Sequence, residues 1–361
     1  MFLDNQPPFS LPPADKERYL AAQLAELMAH HRARCAPYAQ VVADWERQPS
    51  PGMTDTERYP FLPVTVFKEY DLRSTAAEGM SVRSSSTTGT AAARIFVDKP
   101  TKKRQAISAN RILADFIGTQ PRPYLVFDLD RTVRGLESMS ARGAAILSLA
   151  HLATDFHFVM REGSDGQLEL DPDAFSRAVA AIGERPFIAY GFTYILFQAH
   201  AALAARYAGL RRHAHPASVL LHSGGWKRLT ALAVDKPQFN RSVADVWGLA
   251  PERIVDFYGA VEQVGMPYPD CTAGLKHAPY WGDVIIRRAD TLQPAGPGES
   301  GLIQLINCLP LSAPNHSVLT EDMGELVLND GCSCGRRGKA FLFRGRAQRA
   351  EVRGCSDVGG R

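Results

Sequence analysis

Between residues 122 and 258 the sequence alternates short, continuous apolar runs with longer stretches of helical periodicity. The apolar runs are YLVFDLD (124–130), PFIAYGF (186–192), ASVLLHS (217–223) and RIVDFY (253–258). Continuous apolar strands separated by helices are typical of a parallel or mixed sheet that helices cover on both faces. Ligands of such α/β folds bind at the loops that follow the strands. The polar and glycine residues after each run are therefore the first candidates for a functional site.

The pattern changes on either side of this region. Apolar residues recur at helical spacing from Asp15 to about Gln48, and residues 61–67 predict an extended element. After Asp283 the sequence predicts short alternating strands, with a hairpin marked by the prolines and glycines of residues 294–298. The fold class predicted from these patterns is α/β, with a mixed sheet architecture.

Composition excludes several classes of protein. The chain has 361 residues and a net charge of only +3, with basic residues spread along it, so we expect no nucleic-acid partner. No segment approaches the roughly 20 apolar residues that span a bilayer, and the N-terminus has no signal-peptide pattern. We therefore expect a cytoplasmic protein. In that compartment the six cysteines indicate free thiols, metal binding or catalysis rather than disulfides.

The segment from Ser84 to Lys99 reads SSSTTGTAAARIFVDK. Hydroxyl groups and the free N–H groups of a glycine turn are what a chain presents to phosphate oxygens. Arg94 and Lys99 would add positive charge that suits a triphosphate. The segment lacks the Lys-Ser/Thr ending of a Walker loop, which excludes that mechanism. Taken alone, the segment more often indicates a polar turn of a surface hairpin, because serine, threonine and glycine are common loop residues.

Three further motifs follow in order along the chain. HSGGWKRL (222–229) ends one predicted strand in a glycine pair, and DFYGAVEQ (256–263) places a tyrosine, a glycine and a glutamate after the next strand. LTEDMGEL (319–326) contains an aspartate in a predicted turn. In this order, after residues 84–90, they resemble the adenylate-forming superfamily, whose members make acyl-AMP from a carboxylate and ATP.

The sequence resembles one branch of that superfamily more closely. This branch is the acyl-protein synthetase family, the fatty-acid-activating ligase of the bacterial luminescence fatty acid reductase. The resemblance covers about residues 60–357 and is most specific near its end. It rests on PFLPVTVFKEYDL, LHSGGWKRL, YGAVEQ, SVLTEDMGEL and CSCGRRGKAFLFRGRAQRAEVRGCSD.

The resemblance implies roles for individual residues in binding ATP and Mg²⁺. The ATP phosphates would be held by Ser85, Thr87, Thr88 and Gly89. The adenine would lie along Gly224 and Gly225, stack on Tyr258 and approach Gly259. Glu262 would hold the magnesium ion, Asp322 would take the ribose hydroxyls, and Arg346 would reach the nucleotide from the far side. Attack of a carboxylate on the α-phosphate needs this charge neutralisation and in-line positioning.

Alternative interpretations stay open for these residues. Asp322 could simply cap a turn, and Tyr258 could be a core residue. Ser86 stands where the superfamily usually has glycine, and Val261 stands where it usually has threonine. These departures also permit a different class of protein, a degenerate adenylation fold that serves as a binding subunit without catalysis.

The cysteines divide into two groups. Cys332 and Cys334 form a tight two-thiol turn, and Cys271 and His277 could complete a tetrahedral Cys₃His set. That set is an accepted pattern for structural zinc, so we expect a structural Zn²⁺ ion, with free buried thiols as the alternative. The phenylacetate-CoA-ligase-like branch of the superfamily resembles the chain here too.

Cys355 lies in EVRGCSD, beside a glycine and two residues from Arg353. Access and nearby positive charge favour a nucleophilic thiolate, although a cysteine near a chain end can also be only an exposed thiol. The resemblance makes Cys355 the acyl acceptor, so that Cys355, Glu262 and Arg346 form the expected catalytic set. We expect an adenylation core over residues 1–345 and a short tail over 346–361, which replaces the superfamily's mobile C-terminal domain.

The function predicted from the sequence is ATP-dependent activation of a carboxylic acid, with a fatty acid expected, to acyl-AMP. The acyl group would then pass to Cys355 as a thioester. An acyl reductase or a thiol carrier protein would receive it. The alternative from the same chemistry is a ligase that loads coenzyme A or a carrier protein directly.

Overall fold

The fold is seen in a computed structural model of the chain. The structure describes residues 6–46, 54–83, 93–134, 140–164, 166–206 and 214–347. The helices are α1 (Pro13–Arg34), α2 (Ala36–Trp45), α3 (Val66–Glu69), α4 (Lys99–Ile117), α5 (Ala141–Ser148), α6 (Pro172–Ile182), α7 (Thr193–Arg206) and α8 (Lys236–Trp247). Among the described residues no helix combines the length and the apolar character needed to cross a membrane.

Strands of the first half of the chain are β1 (Leu62–Pro63), β2 (Gly79–Arg83), β3 (Arg94–Asp98), β4 (Arg122–Val126), β5 (Ala153–Phe158), β6 (Met160–Glu162), β7 (Leu168–Leu170) and β8 (Ile188–Phe192). Those of the second half are β9 (Val219–Ser223), β10 (Ile254–Tyr258), β11 (Tyr268–Pro269), β12 (Lys276–His277), β13 (Gly282–Arg287), β14 (Ser300–Asn307), β15 (Ser317–Leu328) and β16 (Ala340–Arg346).

The apolar runs of the sequence build one six-stranded sheet. Its order is β11-β10-β9-β8-β4-β5, and every neighbouring pair is parallel except β10 and β11. Every residue of β8 and β9 is buried, because helices pack on both faces of the sheet. The shared core includes Leu196 of α7 and Trp247 of α8. The predicted α/β fold class is confirmed, and the carboxyl ends of the parallel strands lie at one edge of this sheet.

A second sheet follows from residue 276 onward. Its antiparallel path is β12-β16-β15-β14-β13, and β1 joins it by pairing in parallel with β15. The predicted hairpin at residues 294–298 connects β13 to β14, where Gly298 has a φ of +83°. This hairpin is confirmed.

Two predictions near the N-terminus differ in detail from the structure. The helical segment expected from Asp15 to about Gln48 consists of two helices, because Cys35 is extended (φ −131°, ψ 95°) and α2 restarts with a proline in its first turn. The extended element expected at residues 61–67 pairs as a strand only over β1, and α3 follows three residues later. The hairpin β2–β3 flanks residues 84–92, which lie outside the described residues.

Candidate active site and metal centre

Motifs that are far apart in the chain meet at the carboxyl edge of the parallel sheet. Tyr258 is the last residue of β10, and its hydroxyl donates a hydrogen bond of 2.9 Å to Oδ2 of Asp322 on β15. The Tyr258 ring stacks on Phe343 of β16 at 4.8 Å between centroids. Tyr258 is buried. The structure therefore joins the first sheet to the second at two of the residues predicted to bind the nucleotide.

Asp322 lies within β15 and not in the predicted turn, and its carboxylate is largely buried. Burial raises its pKa above the usual range, while the Tyr258 hydroxyl and Arg346 act in the opposite direction. Arg346 is paired with Asp322 in the β15–β16 register, and its Nε lies 3.7 Å from Oδ1 of Asp322. The Arg346 side chain is 61% exposed, so it is accessible to an anionic ligand. Asp322 and Arg346 therefore place a hydrogen-bond acceptor and a cation next to each other.

Glu262 lies in a 3-10 turn (Val261–Gln263) shortly after β10. It is buried, and this burial raises the pKa of its carboxyl group. The nearby Asp322 carboxylate acts in the same direction, while Lys68 and Arg346 act in the opposite one. A bound cation would favour the ionised form of such a carboxyl group. The arrangement is therefore compatible with the predicted magnesium ligand.

A set of buried amides holds the turn that carries Glu262. Asn315 donates through Nδ2 to the backbone oxygen of Glu262 at 2.6 Å, and Gln263 donates through Nε2 to the backbone oxygen of Asn315 at 2.6 Å. Asn307 donates in turn to Oε1 of Gln263. Sequence reasoning missed Asn307, Gln263 and Asn315. Of these three residues, only Gln263 could have been recognised from the sequence, because it is adjacent to Glu262.

The glycine pair after β9 has the backbone conformation that requires glycine. Gly224 and Gly225 have φ values of +81° and +62°. A Cβ atom on Gly224 would lie 3.1 Å from the ring of Phe192, whereas one on Gly225 would meet no atom within 4 Å. In the β9–β10 register His222 pairs with Asp256, so Gly224 and Tyr258 lie at the same level of the sheet edge. Gly259, which follows Tyr258, has open space at its Cβ position.

Five of the predicted site residues cannot be placed. Ser85, Thr87, Thr88 and Gly89 fall in residues 84–92, and Cys355 falls in 348–361, both outside the described residues. The described flanks of the first segment do approach the site, since Val82 and Ile95 share an apolar cluster with Val261, the neighbour of Glu262.

The predicted metal ligands come together. One ligand atom from each of Cys271, His277, Cys332 and Cys334 lies within 4.8 Å of all the others. The sulfurs of Cys271 and Cys332 are 3.9 Å apart, and Nε2 of His277 is 3.4 Å from the sulfur of Cys334. Tetrahedral zinc with Zn–S bonds of about 2.3 Å would separate two sulfurs by about 3.8 Å. The donor types and spacing therefore fit a Cys₃His zinc ion.

The protonation states at this cluster also suit a metal. Burial lowers the pKa of His277 to about 4, which leaves the imidazole neutral and able to coordinate. Burial raises the pKa of Cys271 to about 12. Burial acts the same way on Cys334, but hydrogen bonds involving Arg336 and the neighbouring thiols outweigh it and lower that pKa. A cation would offset the cost of ionising the buried thiols.

Comparison with known proteins decides the family. The model of the acyl-protein synthetase family, LuxE, matches residues 1–360. The chain belongs to the acyl-protein synthetase family. The family predicted from the sequence motifs is confirmed.

The chain has low sequence identity to an individual relative of known activity. Over 140 residues the chain is 27% identical to the long-chain-fatty-acid–luciferin-component ligase of Vibrio harveyi, and this match covers 38% of the chain and 35% of that ligase. The matched region thus spans about a third of the curated relative.

Solved structures show the fold of this acyl-protein synthetase family member. A 2-hydroxyisobutyryl-CoA ligase in an open conformation with 2-HIB-AMP and CoA has a TM-score of 0.66 at 16% identity, covering 93% of this chain and 76% of the ligase. The same ligase in the postadenylation state with R3-HIB-AMP also has a TM-score of 0.66, at 14% identity and with 93% and 69% coverage. The fold is that of adenylate-forming ligases, as predicted.

Proposed function

We propose that the protein activates a carboxylic acid with ATP and Mg²⁺ to form an acyl adenylate, and that a fatty acid is its substrate. The observation that carries this proposal is the hydrogen bond from Tyr258 to Asp322, because it unites two motifs 64 residues apart at the carboxyl edge of the sheet. Family membership supports the same reaction. So does the name of the Vibrio harveyi relative, a long-chain-fatty-acid–luciferin-component ligase.

The described residues would divide the work of adenylation. Tyr258 and the Gly224–Gly225 turn would receive the adenine, and Asp322 would accept hydrogen bonds from the ribose hydroxyls. Glu262 would hold Mg²⁺, which would neutralise phosphate charge while the substrate carboxylate attacks the α-phosphorus and pyrophosphate leaves. Lys68 and Arg346 lie close enough to influence Glu262 electrostatically, and they would stabilise the anionic groups around it.

We further propose that the acyl group moves from AMP to the Cys355 sulfur. The thiolate would attack the acyl carbon, the bond to the phosphate oxygen would break, and AMP would leave with its electron pair. A glycine-flanked cysteine in a tail from residue 346 would then deliver the thioester to an acyl reductase or a thiol carrier protein. The Cys₃His cluster would hold a structural zinc ion and would take no part in this chemistry.

Acid-dependent exchange of labelled pyrophosphate into ATP tests the activation step. We expect exchange with fatty acids in the wild type, and at least a 10²-fold loss in Glu262→Gln, because the neutral amide is a poor magnesium ligand. Glu325→Gln is the matched control, since Glu325 is another acid of β15 and its ion pair, with Arg344 at 2.6 Å, lies outside the proposed machinery. Undiminished exchange in Glu262→Gln would refute the assignment of that residue. A wild type that binds ATP without any exchange would instead indicate the non-catalytic binding subunit.

A further inference from the structure

Asp256, Asp270, Lys236 and Lys276 form an ion cluster beside β10, called here the buried ion cluster because only Lys236, at 38%, is more than 19% exposed. The Lys276 side chain is only 1% exposed. Its ammonium group lies 3.1 Å from Oδ2 of Asp256 and 3.0 Å from Oδ1 of Asp270, and 3.3 Å from the backbone oxygens of Asp256 and Tyr268. Lys236 donates to Oδ2 of Asp270 at 2.6 Å. Because a buried charge is costly without its partners, these contacts resist displacement.

The buried ion cluster and the metal ligands share one turn of the chain. Asp270 and Lys276 face each other in an antiparallel bridge, and each is followed directly by a metal ligand, Cys271 or His277. Neighbouring residues of extended backbone point to opposite sides. The turn therefore presents thiol and imidazole groups to the metal on one side and charged groups to Asp256 on the other.

Asp256 in turn contacts both strands that carry predicted nucleotide-binding residues. It belongs to β10, two residues before Tyr258. Its Oδ1 lies 3.8 Å from Nδ1 of His222 on β9, which is two residues before Gly224. A continuous set of contacts thus runs from the Cys₃His cluster through Lys276 and Asp256 to the ends of β9 and β10.

We propose that Lys276 is a positioning residue that couples occupancy of the Cys₃His cluster by a thiolate-preferring divalent ion, such as zinc, to the geometry of the nucleotide site. The ion fixes the turn of residues 271–277, and the turn fixes Lys276 against Asp256. Loss of the ion releases the turn. The Lys276 ammonium group then no longer holds Asp256, and the ends of β9 and β10 lose their connection to the turn. The consequence for ATP rests on the proposed function, whereas the coupling between the turn and β10 does not.

The test compares wild type with Lys276→Met, before and after zinc removal by a chelator. Lys16→Met is the matched control. Lys16 is also a buried lysine beside the metal turn, donating to the backbone oxygen of Ala278 at 3.0 Å and lying 3.5 Å from Asp283. Those described partners lie outside the buried ion cluster. Asp256→Asn combined with Lys276→Met keeps the cluster's charge balanced if the single variant does not fold.

Two readouts are used, the Kd of Mg²⁺–ATP by calorimetry and amide hydrogen exchange in peptides covering β9, β10 and β14. In wild type and Lys16→Met we expect zinc removal to raise the Kd about fivefold or more and to speed exchange in β9 and β10 but not in β14. In the Lys276 variants the Kd of Mg²⁺–ATP and the exchange rates of β9 and β10 should exceed those of wild type even before zinc removal. Zinc removal should then change the Kd by less than about twofold, because the coupling is lost.

An equally large effect of zinc removal in the Lys276 variants would overturn the proposal. So would uniform acceleration that includes β14, since it would show a purely structural role for the metal. If wild type binds no ATP, the proposed function fails, and the exchange data alone decide whether Lys276 couples the turn to β10.

Discussion

The hydroxyl of Tyr258 can be removed without removing its ring. Tyr258→Phe deletes the donor of the 2.9 Å hydrogen bond to Asp322 and leaves the stacking on Phe343 in place. The Asp322 side chain is only 18% exposed, so water can replace the lost hydroxyl only in part. The substitution therefore isolates the contact that joins the two sheets at the candidate active site.

The expected cost follows from the nature of this hydrogen bond. A hydrogen bond to a charged group contributes about 1.5–3 kcal/mol to the free energy of unfolding, so we expect a loss of about 2 kcal/mol at pH 7. Burial already raises the pKa of Asp322, and loss of the hydroxyl raises it further. As pH rises through the raised pKa of Asp322, ionisation of its carboxyl group lowers the free energy of unfolding, and Tyr258→Phe lowers it further. The difference from wild type should shrink as pH falls and the Asp322 carboxyl group takes up its proton, because the cost of ionisation is then removed.

Chemical denaturation at pH 7 and pH 4 measures this difference, and Tyr268→Phe provides the control. Tyr268 pairs with Tyr258 across β10 and β11 and is fully buried, but its hydroxyl has no hydrogen-bond partner among the described residues. Removing that hydroxyl should leave stability unchanged or raise it, since an unsatisfied buried polar group is costly. Equal effects of the two substitutions, or a Tyr258→Phe effect independent of pH, would refute the reasoning.

Three further predictions concern the metal, pH and the glycine turn. Metal analysis should find about one zinc per chain, and Cys332→Ser or His277→Ala should lower both metal content and melting temperature; a metal-free preparation of equal stability would contradict this. Burial lowers the pKa of His31 to about 3 and of His200 to about 4, so both histidines take up protons on unfolding below pH 6.5. The free energy of unfolding should therefore fall by up to about 1.4 kcal/mol per pH unit for each histidine as pH drops from 6.5 towards those values. Chemical denaturation should show a flatter pH profile in His200→Gln. Gly224→Ala should destabilise more than Gly225→Ala in the same assay, because only Gly224 has both a positive φ and the Phe192 ring 3.1 Å from the added Cβ; equal losses would exclude that contact as the cause.

Elements whose signals are local could be predicted from the sequence. The wholly buried strands β8 and β9 are continuous apolar runs. Helices α4 and α6 each start after an aspartate whose side chain caps the first turn and end at a glycine. The residues of the Cys₃His cluster could be named because metal ligands have a recognisable type and spacing.

Contacts that depend on tertiary packing could not be predicted. Lysine is rarely buried, so nothing in the sequence around Lys276 indicates that four oxygens surround its ammonium group. Asn315 supports Glu262 from 53 residues away in the chain. The sequence predicted that Tyr258 and Asp322 would each bind the nucleotide, but it did not predict that they bind each other.

The central claim is that the chain activates an acid and transfers the acyl group to its own Cys355. The most direct measurement incubates the protein with ATP, Mg²⁺ and a labelled fatty acid, and follows the label on the polypeptide before and after hydroxylamine treatment. The account predicts a label that hydroxylamine removes in wild type and that is absent, or resistant to hydroxylamine, in Cys355→Ser, while that variant still supports pyrophosphate exchange. Undiminished hydroxylamine-labile labelling of Cys355→Ser, or an unlabelled wild type that rapidly forms acyl-CoA, would contradict it.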